Sequence, residues 1–140
     1  MRRLLARALI ATLVALLAAA CSSVTRVAYD NAPFAAAWMV DDWFDLHDGQ
    51  RDWVKERLAR LHGWHRASEM PAYERLLAAT AARAARGLSA DDARQVHREM
   101  RALWLRLVRR AIPDMADFLL QLHPEQVVFL ARKFDEDNER

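Results

Sequence analysis

The hydrophobic pattern divides the chain into one short, unbroken apolar run and a series of helical stripes. Ala8 to Ala20 is a run of 13 uncharged residues with only Thr12 polar. As a helix it would be about 20 Å long, short of a ~30 Å hydrocarbon core. Beyond it the apolar positions recur at spacings of three and four, the period of a helix with one buried face. Val54, Leu58, Leu61 and His65 form one stripe, with Trp53, Arg57 and Trp64 along its edge. Tyr73, Leu76, Leu77, Thr80, Ala81 and Ala84 form a second. The longest stripe holds Ala93, Val96, Met100, Leu103, Trp104, Leu107, Val108 and Ala111, within an arc of about 140°, and Arg94, Arg98, Arg101 and Arg109 line up beside it. Val127, Leu130 and Phe134 are expected to face inward on a last helix.

Punctuation sets the helix bounds. Asn31 before Pro33 reads as a cap with proline in the first turn, starting a helix to Phe44. A second helix runs from Asp48 to Ser68. Met70-Pro71 is expected to break it, because proline disfavours helix in the residue before it. A third runs from Pro71 to Arg86 and stops at Gly87. Ser89 with Asp92 opens a fourth as a capping box, reaching Leu122 with a kink at Pro113. Pro124 opens the fifth, to Asp135. No segment alternates as a strand does. The expected fold is all-α, a bundle of four to five helices.

Arg2, Arg3 and Arg7 precede the apolar run, and small residues end it. That order is a secretory signal peptide. The run meets Cys21, the single cysteine of the chain, in Leu17-Ala18-Ala19-Ala20-Cys21. This resembles the bacterial lipobox, with the leucine one place earlier than usual. The resemblance implies cleavage before Cys21, a diacylglycerol on its thiol with a further amide-linked chain such as palmitate, and anchoring. Ser22 rather than Asp implies the outer membrane, periplasmic face. The expected organisation is therefore a signal peptide at 1–20, a lipidated tether at 21–30 and a helical periplasmic domain at 31–140.

Cleavage changes the charge. The full chain carries +2, but the first 20 residues hold three arginines and no acid, so the mature chain carries −1. Nucleic-acid binding loses its electrostatic basis. With its one thiol acylated, the domain forms no intrachain disulfide and relies on packing. Charge is also segregated. Val27 to Gln50 holds five aspartates and no Lys or Arg, Arg51 to Arg110 is net +7, and Ala111 to Arg140 is net −4. The simplest expectation is that the acidic ends pack on the basic middle. The alternative is a basic face for an anionic lipid or cell-wall polymer.

Three helix starts look alike: Leu46-His47-x-x-Gln50, Leu122-His123-x-x-Gln126 and, more loosely, Leu88-Ser89-x-x-Asp92. In such a box the third residue reaches back to the free N–H of the cap. The boxes resemble the Leu-Thr-x-x-Gln motifs of small helical periplasmic chaperones and metal-stress proteins, with His in place of Thr. That resemblance implies a chaperone-like module and a homodimer. Tyr29-Asp30-Asn31-Ala32, Asp41-Asp42-Trp43-Phe44-Asp45-Leu46, Trp64-His65-Arg66 and Pro124-Glu125-Gln126, taken with the lipobox, resemble a Gram-negative lipoprotein family catalogued as a domain of unknown function. It implies location and fold and no activity.

The candidate binding surface is Tyr29, Trp38, Asp41, Asp42, Trp43, Asp45, Trp64 and His65. The expected partners are the bilayer, through Cys21, and an envelope protein or unfolded client. No cofactor is called for. Two alternatives stay open. Asp42 and Asp45, at i,i+3, or the His65 region could serve a hydrolase. His62, His65 and Glu69 have the spacing of metal ligands on a helix, though a zinc site needs more. His65 belongs to an apolar stripe, which favours a hydrogen-bonded core histidine. Most of the five tryptophans are expected in the core.

Overall fold

The computed structural model describes residues 24–139, which form helices joined by short connections, without strands among the described residues. The signal segment and Cys21 lie outside the described residues. Helix α1 is Ala32–Phe44 and α2 is Asp48–Trp64. A π-helical segment, His65–Glu69, leads into α3, Met70–Ala84; α4 is Ala90–Leu119 and α5 is Pro124–Asn138. The all-α bundle expected from the periodicity is the fold.

The break expected at Met70-Pro71 does not occur. The helix runs on from Asp48 to Ala84, about 55 Å at 1.5 Å per residue. Met70 keeps right-handed helical dihedrals, φ −52° and ψ −40°, and its N–H bonds to the carbonyl of His65, five residues back. The wider π turn gives the proline ring room where an α turn would set it against the carbonyl four residues earlier. Pro113 likewise does not interrupt α4, which is 30 residues long. The segment beyond it is held by the Arg57–Asp114 ion pair at 2.9 Å and by buried Phe118. Together the long helix and α4 make an antiparallel hairpin. Ion pairs bridge it at three levels: Arg57–Asp114, Glu69–Arg106 at 2.8 Å and Arg83–Asp92 at 3.7 Å.

Several start signals hold. Ser89 accepts from the Asp92 N–H and donates from its own to Asp92 Oδ2, closing the box at α4. Asn31 departs from expectation. It does not cap α1; its side-chain amide donates to Val27 O, and residues 24–30 are themselves helical, not a loose tether.

The core lies at one end. Ala37, Leu46, Val54 and Phe118 are buried, with Val40, Phe44, Trp53, Leu58 and Leu122 packed against them. This end is built by α1, α2, α5 and the last turns of α4. Farther along the hairpin Leu76 and Leu103 are the buried apolar contacts. The expected inner faces of α3 and α5 are corrected accordingly. Leu77 is 62% exposed, Ala81 and Ala84 are exposed, and Val127 and Phe134 are 53% and 52% exposed. Two helices have too little surface to cover one another, so each stripe buries only its centre line. The tryptophans follow the same rule: none is fully buried, and Trp38 and Trp104 are exposed.

Candidate binding surface

Helix α2 is the floor of an apolar groove walled by α1 and α4. Its volume is about 280 Å³. Trp53, Val54, Leu58 and Leu61 line the floor, Val40 one wall, and Ala111, Met115 and Phe118 the other. The Arg57–Asp114 pair crosses it. The Arg57 guanidinium also stacks 4.8 Å over the Trp53 ring, which keeps its charge against an otherwise greasy surface. Met115, more than half exposed, stands on the wall where an incoming chain would meet the molecule. Flexible thioethers suit a surface that must fit more than one shape.

At the core end the two Leu-His-x-x-Gln boxes face one another. Each glutamine carbonyl takes the N–H of the histidine three residues before it: His47 to Gln50 at 3.2 Å, His123 to Gln126 at 3.0 Å. The side-chain amides also pair reciprocally, Gln126 Nε2 donating to Gln50 Oε1 at 2.8 Å and Gln50 Nε2 to Gln126 Oε1 at 3.1 Å. Gln126, 1% exposed, reaches on to the carbonyls of Phe44 and Asp45 at the end of α1. His47 and His123 meet edge to face, 5.3 Å between centroids. One polar knot thus ties the starts of α2 and α5 to the end of α1. The sequence displayed both boxes without showing that they touch.

The residues singled out in the sequence fall into three places. Asp41 lies at the end of α1, where it accepts from Leu46 N–H and takes Arg51 Nε at 3.1 and 3.2 Å. That bond holds the Arg51 guanidinium's pKa above its ordinary value, with the Asp41 and Asp48 charges adding to it against partial desolvation. Asp42 takes Lys133 of α5, outside the basic middle, at 3.1 Å. Trp43 packs on Phe134, and Asp45 ends α1 in the left-handed region at φ 47°. Trp38 opens onto a separate shallow pocket with Phe34, Arg51 and Lys55.

Tyr29, Trp64 and His65 gather elsewhere, at the π segment. The Tyr29 hydroxyl is 2.9 Å from His65 Nδ1, and His62 Nε2 is 3.0 Å from the Tyr29 carbonyl oxygen. Tyr73 closes the other side of His65, and Arg110 sits over Trp64. Burial lowers the His65 pKa, with His62 adding and Glu69 opposing. Burial raises the Tyr29 phenol, against the pull of Arg66. This is the hydrogen-bonded core histidine favoured by the stripe. Glu69, the third member of the metal-like spacing, points to Arg106, and no group of three metal-competent side chains converges among the described residues. The residues weighed for a hydrolase have separate surroundings: Asp42 is on Lys133, Asp45 borders a pocket with His47 and Glu125, and His65 is on Tyr29.

The acidic ends do pack on the basic middle, through Asp30–Arg66, Asp41–Arg51 and Asp114–Arg57. The groove residues Val40, Ala111 and Met115 were not singled out as a site. The visible signal was Arg57 on the edge of the α2 stripe, a charge placed where a partner had to come from another helix.

The chain belongs to a family of unknown function, DUF6279, whose model matches residues 42–140. No curated protein and no solved structure matches it.

Proposed function

We propose that this protein is a lipid-anchored envelope accessory module. Acylated Cys21 holds it at the periplasmic face of the outer membrane, and the groove between α1 and α4 binds apolar segments of an unfolded or partly folded envelope protein. Binding, not catalysis, is its task. The observation that carries this reading is the groove itself: an apolar groove of about 280 Å³ with exposed Met115 on one wall. The lipobox-like stretch supports the anchor, and the paired Leu-His-x-x-Gln boxes support the chaperone-like character by resemblance.

The test uses the chain from Ser22 onward, without its anchor, added to a protein that aggregates on unfolding. Suppression near an equimolar ratio is expected, and Met115→Glu, at an exposed position, should remove it while leaving the helical circular dichroism unchanged. Absence of suppression by the parent chain would sink the client-binding reading. Labelled fatty acid on the full chain, lost in Cys21→Ala, checks the anchor separately.

A further inference from the structure

We propose that the hairpin formed by α3 and the first half of α4 rests, tip first, on an anionic phospholipid surface, with the four-helix end held away from it. This rests on the anchor at Cys21 and adds which end of the domain meets the membrane and what holds it there.

Residues 24–30 run antiparallel along the end of α2, the π segment and the start of α3. Tyr29 meets His62 and His65, Asp30 meets Arg66, and Thr25 and Arg26 share a pocket with Met70 and Glu74. The chain therefore enters beside α3, on the hairpin side of the molecule and far from the core end. Three peptide steps separate Cys21 from Val24, a reach of at most about 11 Å. A lipid on Cys21 brings the hairpin, not the core end, to the membrane.

Charge agrees. From α3 through the turn to the first half of α4, residues 70 to 104, there are six arginines and four acids, net +2, whereas 27–50 is net −5 and 111–140 is net −4. The mature chain is nearly neutral, so an anionic surface does not attract it as a whole. It turns it, drawing the hairpin in and repelling the core end. Apolar exposure agrees as well. Val24 and Val27 on the entering helix, Leu77 on α3, Leu88 at the tip and Trp104 on α4 are all more than half exposed. Aliphatic and indole groups among arginines make an interfacial surface, the arginine stems lying along the apolar boundary with their heads at the phosphates. The same charge argues against a second copy here, because two hairpins face to face would set one arginine row against another.

The test reconstitutes the full lipidated chain in vesicles of phosphatidylethanolamine with phosphatidylglycerol, and in vesicles without the anionic lipid. Single-cysteine variants Leu88→Cys and Leu120→Cys carry an environment-sensitive dye, and lipids brominated on their tails quench it by depth. The Leu88→Cys dye should be quenched severalfold more than the Leu120→Cys dye in anionic vesicles. Charge reversal, Arg94→Glu with Arg98→Glu and Arg101→Glu, should abolish that difference with the helical signal retained. Equal quenching at the two positions, or stronger quenching at Leu120→Cys, on chain shown by mass to be acylated, overturns the proposal. If the mass shows no acyl chain, the anchor reading falls by itself. Flotation of the chain with anionic vesicles then decides the hairpin surface, and failure to float overturns it.

Discussion

The two ends of the molecule are held together by different means. At the core end four helices converge, a small apolar cluster forms, and the Gln50–Gln126 knot satisfies the backbone groups that the end of α1 leaves open. Along the hairpin two helices meet with Leu76 and Leu103 as their buried apolar contacts, and ion pairs at Glu69–Arg106 and Arg83–Asp92 set the register. The first arrangement draws on burial and fully used hydrogen bonds. The second draws on ion pairs, and the buried Glu69 gives back much of its attraction to Arg106 as lost hydration. The hairpin presents so much apolar surface because no further helix among the described residues covers it. The groove has the same origin, since α1 covers only one side of α2.

Leu103→Ala should give the largest effect. It empties the centre of the hairpin and should cost about 3 kcal/mol, within the range for buried leucine truncation. Amide exchange is the informative readout. Loss of protection confined to α3 and the first half of α4 would mean that the two ends unfold separately, whereas loss across α2 and α5 would show a single cooperative unit. Gln126→Ala tests the other end. It leaves the Phe44 and Asp45 carbonyls and the Gln50 amide short of partners and should cost about 2 kcal/mol, measured by urea unfolding. Its exchange signature should be α5 and the end of α1, with the hairpin unaffected.

The smallest expected effect is that of pH, at the junction between the two ends. The His65 pKa is lowered in the folded chain, so the unfolded chain takes up the proton first. Its contribution to stability is complete above the unfolded value of about 6.5 and is lost as pH falls from there through the lower folded value. The melting temperature should therefore drop on going from pH 7.5 to 5.5, and less so in His65→Gln. An unchanged difference between the parent chain and this variant would mean that His65 is not the titrating group.

The helices and most of their bounds were legible in the sequence, because period, proline position and the Ser89–Asp92 box are local signals. The stripe on α2 also survived: Val54 is buried and Leu58, Leu61 and His65 are half-buried. Pro71 was misleading, since a proline's effect depends on whether the helix can widen by one residue, and that is decided by what packs around it. The exposure of Leu77, Val127 and Phe134 was illegible for a related reason. An apolar face says that a helix can be covered, and only the count and placement of neighbours says whether it is. The site was partly visible as residue types. Tyr29 with His65 and Asp41 with Arg51 are meetings across 36 and 10 positions, which spacing on a single helix does not report.

The π segment has a consequence for how this chain could have arisen and how it tolerates change in length. A π turn is the mark left by one residue slipped into a helix that had none to spare. Removing one residue from His65–Glu69 would let the helix close into regular α geometry with everything beyond it nearly in phase, because five residues in the wider π turn carry the chain about as far round as four in an α turn. Leu76 would keep its place against α4, but Pro71 would meet the carbonyl four residues back. A single codon here thus decides whether proline fits inside the long helix. Descendants that lose it would have to replace Pro71 to keep the same hairpin.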